Sequence, residues 1–174
     1  MKHTKLFSLL LVTSLFVISP SAIADNYSKL WKQVESARQK DLPRTQIEIL
    51  KNIANKALEE QNYGQLMKAE FSSINVWGSI STDSILPQLK RIEHETTKRS
   101  KDKALSATYY SVLGMAYRDI TIGGIKDLKK SETFFSKSLE NIDILSKKKA
   151  LDYEPFIVKG IDSQIFNNDL LSVL

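Results

Sequence analysis

The chain has 174 residues, 42% of them hydrophobic and 26% charged, a balance that fits one globular domain with its own core and not a disordered chain. It has no cysteine, which excludes disulfides, a thiol nucleophile, thiolate metal sites and a lipid-modified cysteine. The net charge of +5 comes from dispersed lysines and is too weak to call for a nucleic-acid partner.

Residues 1–24 read as an export signal. Lys2 and Lys5 form a positive start, Leu6 to Ile18 an apolar run too short to span a bilayer, and Pro20 breaks it. Ala22 and Ala24 supply the small residues of a cleavage site, so cleavage is expected between Ala24 and Asp25. The product is then expected to be periplasmic or secreted, with no membrane span. Lys2 and Lys5 leave with the leader, so 23 basic against 20 acidic side chains give +3. Without staples, residues 25–174 must be held by a hydrophobic core, which about 150 residues can bury.

About six helices follow in residues 25–149. Tyr27, Leu30, Trp31, Val34 and Ala37 recur at helical spacing. Asp41 reads as the N-cap of a second helix with Pro43 in its first turn, where a missing N–H costs little. The break at Asp41–Pro43 is thus the hinge of a helical hairpin, with Leu30, Trp31 and Val34 expected against Ile47 and Leu50. The second helix carries Ile47, Leu50, Ile53, Ala54, Ala57 and Leu58 on its apolar face. The third carries Tyr63, Leu66, Met67, Phe71 and Ile74. After a cap-rich loop at Ser79–Asp83, the fourth presents Ile85, Leu86, Leu89 and Ile92, with Pro87 in its first turn. Lys98–Lys103 separates it from a fifth helix, Ala104 to Ile120, and Gly123–Gly124 ends the pattern. A sixth helix is expected from Lys126 through Leu145, its apolar side formed by Leu128, Phe134, Phe135, Leu139, Ile142 and Leu145. Residues 150–174 read as an irregular tail draped on the surface. Asp169 then caps one apolar turn at the end, as though a further element began in a truncated reading frame.

Tyr110, Leu113, Gly114 and Tyr117, followed by Ser131, Phe135 and Ser138, match the two helices of a tetratricopeptide unit. The turn between them is longer by five residues than that template, and the closing proline is missing. The expected architecture is therefore all-α, with stacked antiparallel, tetratricopeptide-like hairpins. An ordinary six-helix bundle without repeat ancestry remains the alternative.

Three phrases carry a more specific resemblance: Tyr27-Ser28-Lys29-Leu30-Trp31-Lys32-Gln33-Val34, Asp41-Leu42-Pro43-Arg44-Thr45 and Asn62-Tyr63-Gly64-Gln65-Leu66-Met67-Lys68-Ala69. With the tail Phe166 to Val173, they resemble the N-terminal helical region of Bacteroidetes-type alpha-2-macroglobulin-like proteins. The resemblance covers nearly all residues after the leader. It implies an entry module of a much longer proteinase-engaging protein. The β-sandwich domains, bait segment and thioester that do the trapping in that family have no counterpart in this chain.

Catalytic motifs are missing. His94-Glu95-Thr96-Thr97 begins like a zinc-protease helix, but Lys98 stands where the second histidine is needed. Gly123–Gly124 lacks the rest of a phosphate loop. Glu59–Glu60 argues for solubility, and Lys98–Arg99 and Lys147–Lys149 read as cations at helix ends. No cofactor, metal or enzymatic activity is expected. The expected role is an exported interaction or scaffold module. Its partner would be a protein or peptide, including the downstream domains of its own parent, and it would be held in the concave groove of the stack. The alternative is a stand-alone periplasmic tetratricopeptide-like binding protein.

Overall fold

A computed structural model describes residues 20–120, 126–158 and 167–174. The apolar part of the leader, the Gly123–Gly124 break and the tail segment 159–166 lie outside them. The Ala24–Asp25 bond falls in the opening turns of the first helix, where the backbone alone is described. The helices are α1 (Pro20–Gln39), α2 (Pro43–Glu59), α3 (Tyr63–Ile80), α4 (Ile85–Lys98), α5 (Lys103–Asp119), α6 (Leu128–Leu139) and the short α7 (Ile142–Leu145). They pack as antiparallel pairs, and no strand occurs among the described residues.

The first hinge forms as a capped hairpin, with one correction. Asp41 is not the N-cap of α2. It sits in the left-handed region at φ 53° and closes α1, with the N–H of Leu42 bonded to Ala37 O at 2.9 Å and that of Asp41 to Arg38 O at 3.1 Å. This is the Schellman pattern, here without the usual glycine. Pro43 opens α2 and disfavours helical backbone at Leu42, so Leu42 takes the cap position with no side-chain cap bond. The α2–α3 turn repeats the pattern: Gln61 has φ 54°, and Asn62 N bonds Ala57 O at 2.8 Å. There Asn62 also caps α3 by accepting from Gln65 N–H.

Two buried clusters meet at α3. Tyr27, Leu50, Ile53, Ala57, Leu66 and Ala69 form one, with Leu30, Trp31 and Val34 against it. Met67, Ile74, Leu89, Ile92, Leu105, Tyr109, Leu113 and Phe134 belong to the other. Leu66 and Ala69 face one side and Met67 and Ile74 the other, so one helix serves both cores. Leu58, expected on the buried face of α2, is 44% exposed. Ile47 is not in the α1–α3 cluster either, but lines a surface groove with Leu50.

The expected sixth helix is broken. α6 ends at Leu139, and Asn141 (φ −124°, ψ 42°) starts α7. By Glu140 and Asn141 the chain has reached Ser100 and Lys103 at the start of α5, where these residues line a cavity of about 120 Å³. A straight helix would run on past its partner into water. The turn folds Leu145 back into the core and leaves Leu128, Leu139 and Ile142 exposed.

The described parts of the tail are anchored in the core and not merely draped on the surface. Tyr153 and Leu170 are fully buried members of the larger cluster. An antiparallel bridge between Lys149 and Asp169 pins the tail, with Leu170 N–H bonded to Lys148 O at 2.7 Å and Ala150 N–H to Asn168 O at 3.0 Å. The N-cap of the final 3-10 turn is Leu170 and not Asp169, whose carboxylate lies one residue earlier and accepts from Ser172 N–H at 2.9 Å. The tail lies so close on α3 that a Cβ on Gly64 would stand 1.9 Å from the Glu154 carbonyl oxygen. That neighbour is backbone and cannot rotate aside. Gly64→Ala should therefore lift the Ala150–Tyr153 turn and cost about 3 kcal/mol, read as a lower urea midpoint.

Candidate functional site

α2 and α4 both lie against α3 and leave a trough of about 530 Å³ between them. One wall is a face of α2: Ile47, Leu50, Lys51, Ala54, Asn55 and Leu58. These positions recur at three- and four-residue steps, so the whole stripe looks into the trough. The floor is α3, through Ala69, Glu70, Ser73 and Trp77. The second wall is Gln88, Arg91 and Glu95 on α4, with Arg99 at its C-cap. Small residues at Ala54, Ala69 and Ser73 keep the middle of the trough open.

Under one end lies a buried ionic cluster. Arg99 grips Glu70 with two hydrogen bonds, Nη2 to Oε1 at 3.0 Å and Nη1 to Oε2 at 3.1 Å. Its Nη1 also donates to the Tyr109 hydroxyl at 3.0 Å, and that hydroxyl donates to Glu70. The two charged side chains are 13% and 6% exposed. Burial works against the Arg99 charge, yet the hydrogen bonds and field of Glu70 outweigh it, and the guanidinium is held above its ordinary value. Burial, then the Glu70 charge, pushes the Tyr109 phenol well above its ordinary value. No buried side-chain nitrogen or oxygen of the cluster lacks a partner, which makes it a structural pin.

The same combination recurs at two other helix junctions. Tyr27 on α1 donates to Glu60 at 2.6 Å, and Lys56 pairs with the same carboxylate. Tyr117 on α5 donates to Glu93 on α4, while Lys130 on α6 bonds Glu93 at 2.6 Å and lies 4.2 Å from the centre of the Tyr117 ring. Both phenols are raised, first by burial and then by the hydrogen-bonded carboxylate. Glu60 and Glu93 thus do more than solubilise a helix face. Arg99, expected as a cation at a helix end, is the C-cap of α4 and also turns its side chain in against Glu70. Glu70 was the missed signal: it falls among Leu66, Met67, Ala69 and Ile74, at a helical position where an acid must be buried.

The tetratricopeptide-like positions come together. Gly114 lets α6 approach so closely that a Cβ there would stand 2.8 Å from the Phe135 ring. Ser131 Oγ donates to Gly114 O at 2.8 Å, and Leu113, Tyr117, Ser131 and Ser138 are buried in or beside the α5–α6 contact. Phe135 lies against Gly114, and its neighbour Phe134 is stacked between Tyr110 at 5.8 Å and Tyr117 at 5.7 Å. Trp31 reaches past α2, its Nε1 donating to Gln65 Oε1 on α3 at 2.6 Å. Tyr63 and Leu66 take the start of α3, and Tyr63 rests near Tyr153 of the tail at 6.1 Å. None of these positions lines the trough except Ile47 and Leu50.

His94 is exposed on α4. Among the described residues no group of three His, Asp or Glu side chains could hold a metal ion, and no helix is long and apolar enough to cross a membrane. Comparison with protein-family models, with curated proteins and with solved structures finds no match to this chain.

Two measurements test the ionic junctions. Arg99→Met leaves a buried carboxylate without its cation and should cost about 3–5 kcal/mol. Adding Glu70→Leu and Tyr109→Phe should recover most of that loss in urea denaturation. Burial and the nearby Asp102 carboxylate raise Tyr63 from 10.0 to about 12. The folded state holds that proton more tightly than the unfolded chain, so this stabilisation is complete below pH 10 and is lost as pH rises toward 12. Tyr63→Phe should flatten the decline in urea stability over that window.

Proposed function

We propose that this chain is an exported helical interaction or scaffold module and forms the N-terminal part of an alpha-2-macroglobulin-like protein. It performs no reaction of its own. The main support for the module reading is the fit between core and surface. No buried polar side-chain atom among the described residues is left without a partner, and one of the open features is a half-apolar trough of a size that suits a bound segment. The parent rests on the three quoted phrases, above all Asp41-Leu42-Pro43 and Asn62-Tyr63-Gly64. In the structure both phrases are helix-to-helix turns, and Gly64 is the point where the tail crosses α3.

A stand-alone periplasmic binding protein is the second reading, favoured by the trough itself, which needs no downstream domain to form. The genomic frame separates the two. Continuation past codon 174 into a long β-rich sequence is the expected outcome. A stop codon there removes the parent and leaves the stand-alone binding module.

A further inference from the structure

The trough has a sign. Its two acids are already engaged: Glu70 by Arg99 and Tyr109, and Glu95 by Lys98 at 2.8 Å. Of its cations, Arg99 is consumed by Glu70, but Lys51 on the α2 wall has no ion pair among the described residues. Arg91 on the facing wall makes only a hydrogen bond to the neutral Gln88, at 3.0 Å, which holds the guanidinium in place without neutralising it. Free positive charge thus stands on both walls. Between them lie Ala54, the 44%-exposed Leu58 and the half-buried Trp77. The stripe from Ile47 to Leu58 is about 16 Å long at 1.5 Å per residue, room for three turns of a guest helix.

We propose that this trough docks a short amphipathic segment of an acidic protein partner, whose apolar side chains sit on Ala54, Leu58 and Trp77 and whose carboxylates meet Lys51 and Arg91. The pattern is that of helix-in-groove recognition, an apolar stripe flanked by complementary charge. Trp and Arg are the side chains on which such interfaces most depend. Nucleic acid fits poorly, because two separated cations over an apolar floor cannot track a phosphate backbone. The inference rests on the module reading and specifies its partner.

The test is selection of a phage-displayed random library of about 12-residue peptides, three helical turns in length, on purified residues 25–174. Enriched peptides should pair helically spaced apolar residues with Asp or Glu. Their affinity should fall about tenfold or more in Lys51→Glu/Arg91→Glu, fall also in Leu58→Ser, fall less in the charge-keeping Arg91→Lys, and stay unchanged in a distant control, Lys129→Glu. Exchanging the peptide's acids for lysines should restore binding to the double variant. The substituted side chains are exposed, and far-ultraviolet circular dichroism checks each fold. Peptides that are enriched but indifferent to these variants overturn the trough while leaving the module reading intact. A concentration-dependent dimer that the double variant abolishes also overturns the proposal, since the occupant is then a second copy. No enrichment at all overturns the trough proposal, while the module reading is decided by the genomic frame.

Discussion

Glu70 is a carboxylate placed on the helix that both cores share, and its burial constrains everything packed around it. An unpaired charge there would cost several kcal/mol, so α4 must end where Arg99 can reach back across it. The C-cap of α4 is therefore a core contact as well as a helix end. Tyr109 then fixes where α5 passes, because its hydroxyl bridges the same two groups. One buried acid on α3 sets the termination of the next helix and the register of the one after it.

The two related junctions extend this logic along the stack. Tyr27 with Glu60 and Lys56 ties α1 to the end of α2, and Tyr117 with Glu93 and Lys130 ties α4, α5 and α6. Apolar contacts supply the driving force but little register, since one leucine face can slide on another. A phenol that must meet a carboxylate at a fixed point removes that freedom. Such groups contribute little net stability over apolar replacements, and their gain here is specificity of packing. Where several antiparallel helix pairs form within one chain, slipped pairings are the obvious competitors.

Local chemistry made some of this legible in the residues. Pro43 marked the first hinge because proline suits a first turn, and Gly114 with Ser131 and Ser138 marked a close helix pair because only small side chains permit it. Asp41 misled, since an acid before proline looks like an N-cap, whereas the chain needed a left-handed residue to close α1. Leu139 and Ile142 kept helical spacing across a real break, because periodicity carries no knowledge of where the partner helix ends. The tail had little period: Tyr153 stands in an irregular segment and Leu170 opens a single apolar turn. Both are buried, beside a bridge between Lys149 and Asp169, twenty positions apart. Ile47 and Leu58 have the spacing of core residues and line a trough, because nothing in one helix tells how far its neighbours stand apart.

Why the trough stays open follows from how α3 divides its circumference. Leu66 and Ala69 are taken by α1 and α2, Met67 and Ile74 by the larger core, and Gly64 by the tail. Ser73 and Trp77 are left facing the gap between α2 and α4. Ser73 is too small to fill that gap, and Trp77 stands on its floor without bridging the walls. The walls in turn cannot close, because α2 is tied to α1 through Glu60 and α4 to α5 and α6 through Glu93. Rigid junctions on both flanks hold a partly apolar surface apart. An opening maintained in that way is preformed, so a segment entering it orders only itself, which is the condition under which a small groove binds usefully.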